Sequence, residues 1–232
     1  ALHDTFYNGN TDYSTYSHTY GTDAFPAIGL ETLSMAGQRA TRAVESLRLA
    51  LADDPPVDGA RVKLDGPLGR IDLDFEDEAD EYTSRDYFLV VDAAGDDVYQ
   101  DQIAVNRSIY HPISVVLDLD GDDTYGIEMN WDISSGYVPT HAGRMQGAGL
   151  FGVAILDDAA GDDSYFSAAM AQGAGVFGVG VLVDHGGDDE YRGYYECQGH
   201  AQFGYGLLAD LGDGVDSYET LQMSQGYGGP MG

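Results

Sequence analysis

The chain has 232 residues, with 10 basic and 40 acidic side chains and a formal net charge of −30. That charge argues against nucleic acid as a direct partner, because phosphates would be repelled, and against an anionic membrane surface; 43% hydrophobic residues, with 17 Tyr and 8 Phe, exclude simple acidic disorder. A single cysteine, Cys197, excludes an intrachain disulfide framework, and no apolar run approaches the ~20 residues that span a bilayer.

The chain opens without an initiator Met or a signal peptide, which reads as a processed or trimmed chain. Residues 1–25, rich in Tyr, Thr, Asn and Gly, carry no periodicity. Residues 34–52 place Ala40, Ala43, Val44, Leu47 and Leu51 at helical spacing, with Ser34 positioned to cap the helix and Asp53-Asp54-Pro55-Pro56 to end it. We read 1–60 as an N-terminal cap with one amphipathic helix, covering the first open coil of a repeat domain that occupies 61–232. RVKLDGPLGRIDLDF at 61–75 predicts a hairpin across Gly66-Pro67-Leu68-Gly69, and LDFEDEADEY at 73–82 reads as a degenerate first repeat.

From residue 90 a motif recurs: VVDAAGDDVY at 90–99, VLDLDGDDTY at 116–125, LDDAAGDDSY at 156–165, LVDHGGDDEY at 182–191 and LADLGDGVDSY at 208–218. Gln146, Gln172 and Gln198 are spaced by 26 residues, and Gln225 follows 27 later. Gln falls seven residues after Tyr165, Tyr191 and Tyr218; Asn106, a shorter amide, holds that place after Tyr99. After Tyr125 the next Gln is 21 residues away, which marks a 14-residue insertion within 126–145. Helical repeats need longer amphipathic units. The period, the near-continuous apolar stretches and the Gly/Asp punctuation predict an all-β-dominated parallel β-solenoid (β-helix) of about five 26-residue coils. Equivalent residues would stack at the strand spacing of ~4.8 Å, giving Tyr, Phe and Gln ladders. A β-propeller or sandwich ranks well below it. The chain stops at GYGGPMG, where another coil should begin, so its C-terminal edge is expected to take a protein partner or to self-associate.

Stacking places Asp92, Asp118, Asp157, Asp184 and Asp210 in one column, Asp96, Asp122, Asp162 and Asp188 in a second, and Asp97, Asp123, Asp163 and Asp189 in a third. Like charges ~4.8 Å apart repel by roughly 3–4 kcal/mol at an effective dielectric of 20. Protonation, hydrogen bonds from turn N–H groups or bound cations would relieve this, and basic residues are too few to do so. Asp-rich, oxygen-only turns with Gly suit Ca²⁺; solvated, self-capped turns are the competing reading. Asp120, Asp213 and Asp216 complete the candidate ligand set. The GDDxY turns resemble the loops of RTX calcium-binding β-rolls, as in Gly95-Asp96-Asp97-Val98-Tyr99, although the period there is nine. The resemblance implies Asp/Gly turns that hold Ca²⁺ between stacked coils. Asp118-Leu119-Asp120-Gly121-Asp122 also resembles the start of an EF-hand loop, but position twelve is Met129 instead of Glu.

None of the six histidines pairs with another at a metal-ligand spacing, and Cys197 reads as a small buried residue. The insertion carries Trp131, Glu128, Asp132, His141 and Arg144. Two functions follow. One is a non-catalytic, calcium-stabilised structural or interaction module outside the cytoplasm, where Ca²⁺ is millimolar. The other is a β-helix-type lyase or glycosidase acting on a polysaccharide, with Glu128, Asp132, His141 and Arg144 as candidate catalytic groups.

Overall fold

A computed structural model describes residues 29–55, 59–83, 86–100, 102–106, 110–126 and 146–229. The insertion, with Glu128, Asp132, His141 and Arg144, lies outside the described residues.

One helix, α1 (Leu30–Asp53), precedes a strand-dominated region. Seven strands form the largest sheet, in the order β1 (Arg61–Gly66), β2 (Gly69–Asp74), β4 (Tyr87–Val91), β6 (Ile113–Asp118), β9 (Val153–Asp158), β12 (Val179–Asp184) and β15 (Tyr205–Asp210). A second sheet runs β3 (Glu81–Tyr82), β5 (Val98–Tyr99), β7 (Thr124–Tyr125), β10 (Ser164–Ala169), β13 (Glu190–Tyr195) and β16 (Ser217–Glu219). The third holds β8 (Gly149–Leu150), β11 (Gly175–Val176) and β14 (Ala201–Gln202). The hairpin β1–β2 closes at Gly66 and Gly69, as its sequence predicts, and is antiparallel; the other paired strands are parallel.

Register follows the repeat. Val153 pairs with Val179 and Tyr165 with Tyr191, a shift of 26 residues. Tyr125 pairs with Tyr165, a shift of 40, which is the period lengthened by the 14 inserted residues. In β6, β9 and β12 the alternating side chains are buried on both faces, which is why these strands read as near-continuous apolar runs. Val90, Val116, Leu156 and Leu182 face the tyrosines of the second sheet. Val91, Leu117, Ile155, Val181 and Val183 face α1.

The helix brings Leu33, Gly37, Ala40, Val44, Leu47 and Leu51 to that face, one residue every three or four positions. Each fully buried aliphatic chain contributes roughly 1.5–3 kcal/mol. Gly37 lets the helix approach closely, since a Cβ there would lie 2.7 Å from Val179. One expectation changes. The helix begins four residues before Ser34, because its apolar stripe starts at Leu33, and its N-cap is Gly29 without a side-chain cap. It lies across β6, β9 and β12.

Tyr82, Tyr99, Tyr125, Tyr165, Tyr191 and Tyr218 stack in one ladder, with centroids 4.7–4.8 Å apart and planes within 10°. Tyr82, the last residue of 73–82, is the first ring of that ladder. Phe151, Phe177 and Phe203 form a shorter ladder. Gln146, Gln172 and Gln198 adopt left-handed backbone angles, φ 53–57°. Each side-chain amide donates to the carbonyl of its own repeat's Tyr and to a carbonyl one repeat on. That recovers strand-end carbonyls at a corner, and the left-handed conformation is retained at some cost. Asn106 does not take the Gln role. Gln146 N–H instead bonds Ile103, and the Asn106 amide makes a reciprocal pair with the Leu150 backbone (2.5 and 2.6 Å). The shorter side chain serves the first strand of the third sheet and not the corner.

Candidate metal centre

Two aspartates per repeat do the structural work of the GDDxY turn. The first ends a strand of the largest sheet: Asp92, Asp118, Asp158 or Asp184. One of its oxygens accepts the N–H two residues on, from Ala94, Asp120, Ala160 or Gly186 at 3.0–3.3 Å. The other accepts a tyrosine hydroxyl from the preceding repeat: Tyr82 to Asp92, Tyr99 to Asp118, Tyr125 to Asp158 (2.5 Å) and Tyr165 to Asp184 (2.7 Å). The turn thereby closes locally, as Asp-Gly turns do.

The second aspartate precedes Tyr by two positions: Asp97, Asp123, Asp163 or Asp189. Its Oδ1 accepts a backbone N–H from the preceding repeat, as when the Asp97 N–H donates to Asp123 at 2.6 Å, Asp123 to Asp163 at 2.7 Å and Asp163 to Asp189 at 2.8 Å. Its Oδ2 is buried with no hydrogen-bond partner at all four positions. These residues are at most 2% exposed. A buried acceptor without a partner is costly and points to a missing proton or cation.

Carboxylate oxygens of the two kinds of aspartate come together between repeats. Asp97, Asp118 and Asp123 form one group, then Asp123, Asp158 and Asp163, then Asp163, Asp184 and Asp189, then Asp189, Asp210 and Asp216, the oxygens within each lying within 4.8 Å of one another. Such clusters could hold a metal ion. The donors are all carboxylate oxygen, which suits a hard cation. Burial, reinforced by neighbouring carboxylates, pushes Asp189 up to about 7, Asp92 to about 8, Asp123 to about 9 and Asp163 to about 10, and raises Asp118 and Asp158 well above the usual carboxylate range.

The remaining expected ligands fall elsewhere. Asp157 is not in the column with Asp118 and Asp184; Asp158 is, because Asp158 pairs with both while Asp157 pairs with Leu117 and Val183. The repeat spacing already marks Asp158, seven residues before Tyr165 as Asp118 is before Tyr125 and Asp184 before Tyr191, and the pleat sends Asp157 to the opposite face. There it sits buried under α1, 3.5 Å from Arg48 and 3.3 Å from His185. Glu45 joins this cluster, and Arg48 binds it in turn. Neither Glu45 nor His185 had a signal in the sequence, since α1 brings them together only in three dimensions. Asp96, Asp122, Asp162 and Asp188 form an exposed column in which each Oδ1 accepts an N–H from the next repeat. Asp120 and Asp213 are exposed and join none of the groups among the described residues. Cys197 is buried, and burial pushes its thiol up to about 11, the opposite of an activated nucleophile.

Comparison with protein-family models, curated proteins and solved structures gives no match.

Proposed function

We propose that the chain is a non-catalytic parallel β-solenoid, stabilised by Ca²⁺ along the buried aspartate row, that acts as a structural or interaction module outside the cytoplasm. The observation that carries this reading is the buried, unpartnered Oδ2 on Asp97, Asp123, Asp163 and Asp189, residues that each belong to at least one three-carboxylate group. The in-register parallel pairing at a 26-residue shift in two sheets supports one repeat per coil. Oxygen-only ligation favours calcium over zinc or copper. Three-carboxylate sites of this kind fill where calcium is millimolar, hence the extracytoplasmic setting.

The last repeat supports an interaction role. Tyr205, Leu207, Leu221 and Tyr227 are all at least 45% exposed along the edge made by β15, β16 and the segment 226–229 that pairs with β14. Such an edge accepts a strand from a protein partner or from another copy. Pro230 lies outside the described residues.

Thermal unfolding in EDTA and in millimolar Ca²⁺ tests the reading. A ligand bound only by the native state raises stability by ~2.7 kcal/mol at a hundredfold excess over its dissociation constant. A clear rise in Tm with Ca²⁺ is expected; superimposable curves would leave the row held by protons alone.

A further inference from the structure

Six aspartate pairs are stacked along the molecule, from Asp74/Asp80 to Asp210/Asp216, and five junctions separate them. Four junctions contain a carboxylate triad; the first, between Asp74/Asp80 and Asp92/Asp97, contains none. What differs there is Arg61. It comes from β1, the antiparallel hairpin strand that has no counterpart in later repeats. Its Nη1 lies 2.5 Å from Asp74 and 2.6 Å from Asp80, its Nε 3.2 Å from Asp72, and its guanidinium 5.5 Å above the Tyr82 ring that ends the ladder. Asp80 therefore spends its carboxylate on a fixed cation, and Asp92 and Asp97 lack their third partner.

We propose that the row is a chain of four divalent-cation sites in which Asp123, Asp163 and Asp189 each ligate two ions, and that Arg61 is a built-in cation that terminates it. This rests on the cation-binding reading above and adds the sharing of ligands and the end of the row. The sharing follows from membership: each of those three residues belongs to two triads, whereas Asp97 and Asp216 belong to one. The terminating role follows from charge. A guanidinium holding Asp74 and Asp80 supplies at the first pair what an ion supplies at later ones, and it needs no calcium to be present.

The test is the number of Ca²⁺ ions bound by the full chain, from equilibrium dialysis with elemental analysis, read as differences between variants so that ions elsewhere on this acidic protein cancel. Asparagine keeps the Oδ1 that accepts the backbone N–H and removes the charge. Asp123→Asn is expected to lose two ions and Asp216→Asn one. Arg61→Gln is expected to gain one, at Asp80, Asp92 and Asp97. If Arg61→Gln does not fold, the comparison of Asp123→Asn with Asp216→Asn still decides the shared-ligand row. Equal losses in those two variants would overturn it while leaving calcium binding intact. A parent chain that binds no Ca²⁺ at all would overturn the cation reading itself, and the row with it.

Discussion

Gly161 shows how tightly the turns stack. A Cβ on it would lie 1.7 Å from the Gly121 carbonyl oxygen, and its φ of +138° is one that L side chains rarely adopt. Gly161→Ala is expected to cost about 3–5 kcal/mol, by collision and backbone strain together, as read from urea unfolding. The recurring GDD turns announced that contact in the sequence, since the 40 residues between Gly121 and Gly161 are the 26-residue period lengthened by the 14 inserted residues. Protonation of the buried aspartates was less legible, since it depends on burial. Its consequence has a definite sign. An aspartate titrates near 3.9 when unfolded, and Asp189, Asp92 and Asp123 titrate at about 7, about 8 and about 9 in the fold. The folded state therefore binds the extra protons, and its stability is fully present below pH ~4 and lost as pH rises through the folded values. Metal-free protein should show Tm falling steadily from about pH 5 to about pH 9, the reverse of ordinary acid denaturation. A Tm that rises over that interval would show that these carboxyls are ionised without a cation.

Between α1 and the largest sheet, Asp157 is the exception to an apolar face, standing where the neighbouring repeats carry Leu117 and Val183. Arg48 is the permanent cation that faces it, its Nε 3.5 Å from Oδ1. Removing one partner of a buried ion pair costs more than the pair is worth. Arg48→Met is thus expected to destabilise the protein by about 2–4 kcal/mol, and Arg48→Met combined with Asp157→Leu to recover most of that loss. Equal destabilisation in the single and double variants would remove Asp157 as the cause. The helix itself was legible from its stripe of Val44, Leu47 and Leu51, because burial on one face leaves a 3.6-residue signature. Its start was not, because Gly29 caps it without a side-chain signal. The misplacement of Asp157 has a different origin. The interval to the motif Tyr singles out Asp158, seven residues before Tyr165 as Asp118 is before Tyr125 and Asp184 before Tyr191, and the strand pairing agrees with that spacing. Asn106 fitted the amide spacing, yet pairing through Val105 and Ala148 moved it off the corner.

At the scale of the molecule, β15 is the last strand of the largest sheet among the described residues. Tyr205 and Leu207 on it are 52% and 45% exposed. If that edge takes a second chain, light scattering should report association that Tyr205→Lys together with Leu207→Lys abolishes, since edge lysines oppose strand addition; a monomer at all concentrations would reserve the edge for a different partner. The stacking order was readable from the period alone, while the pairing of aspartates across repeats needed three dimensions. The central claim is that the buried aspartate row exchanges protons for calcium. Ca²⁺ titration calorimetry on metal-free protein, repeated in buffers of different ionisation enthalpy near pH 7.5, tests it most directly, because binding to protonated carboxyls must release protons. The expected result is saturable binding with net proton release that weakens sharply toward about pH 5. Absence of binding heat, or binding with no proton release, would contradict it.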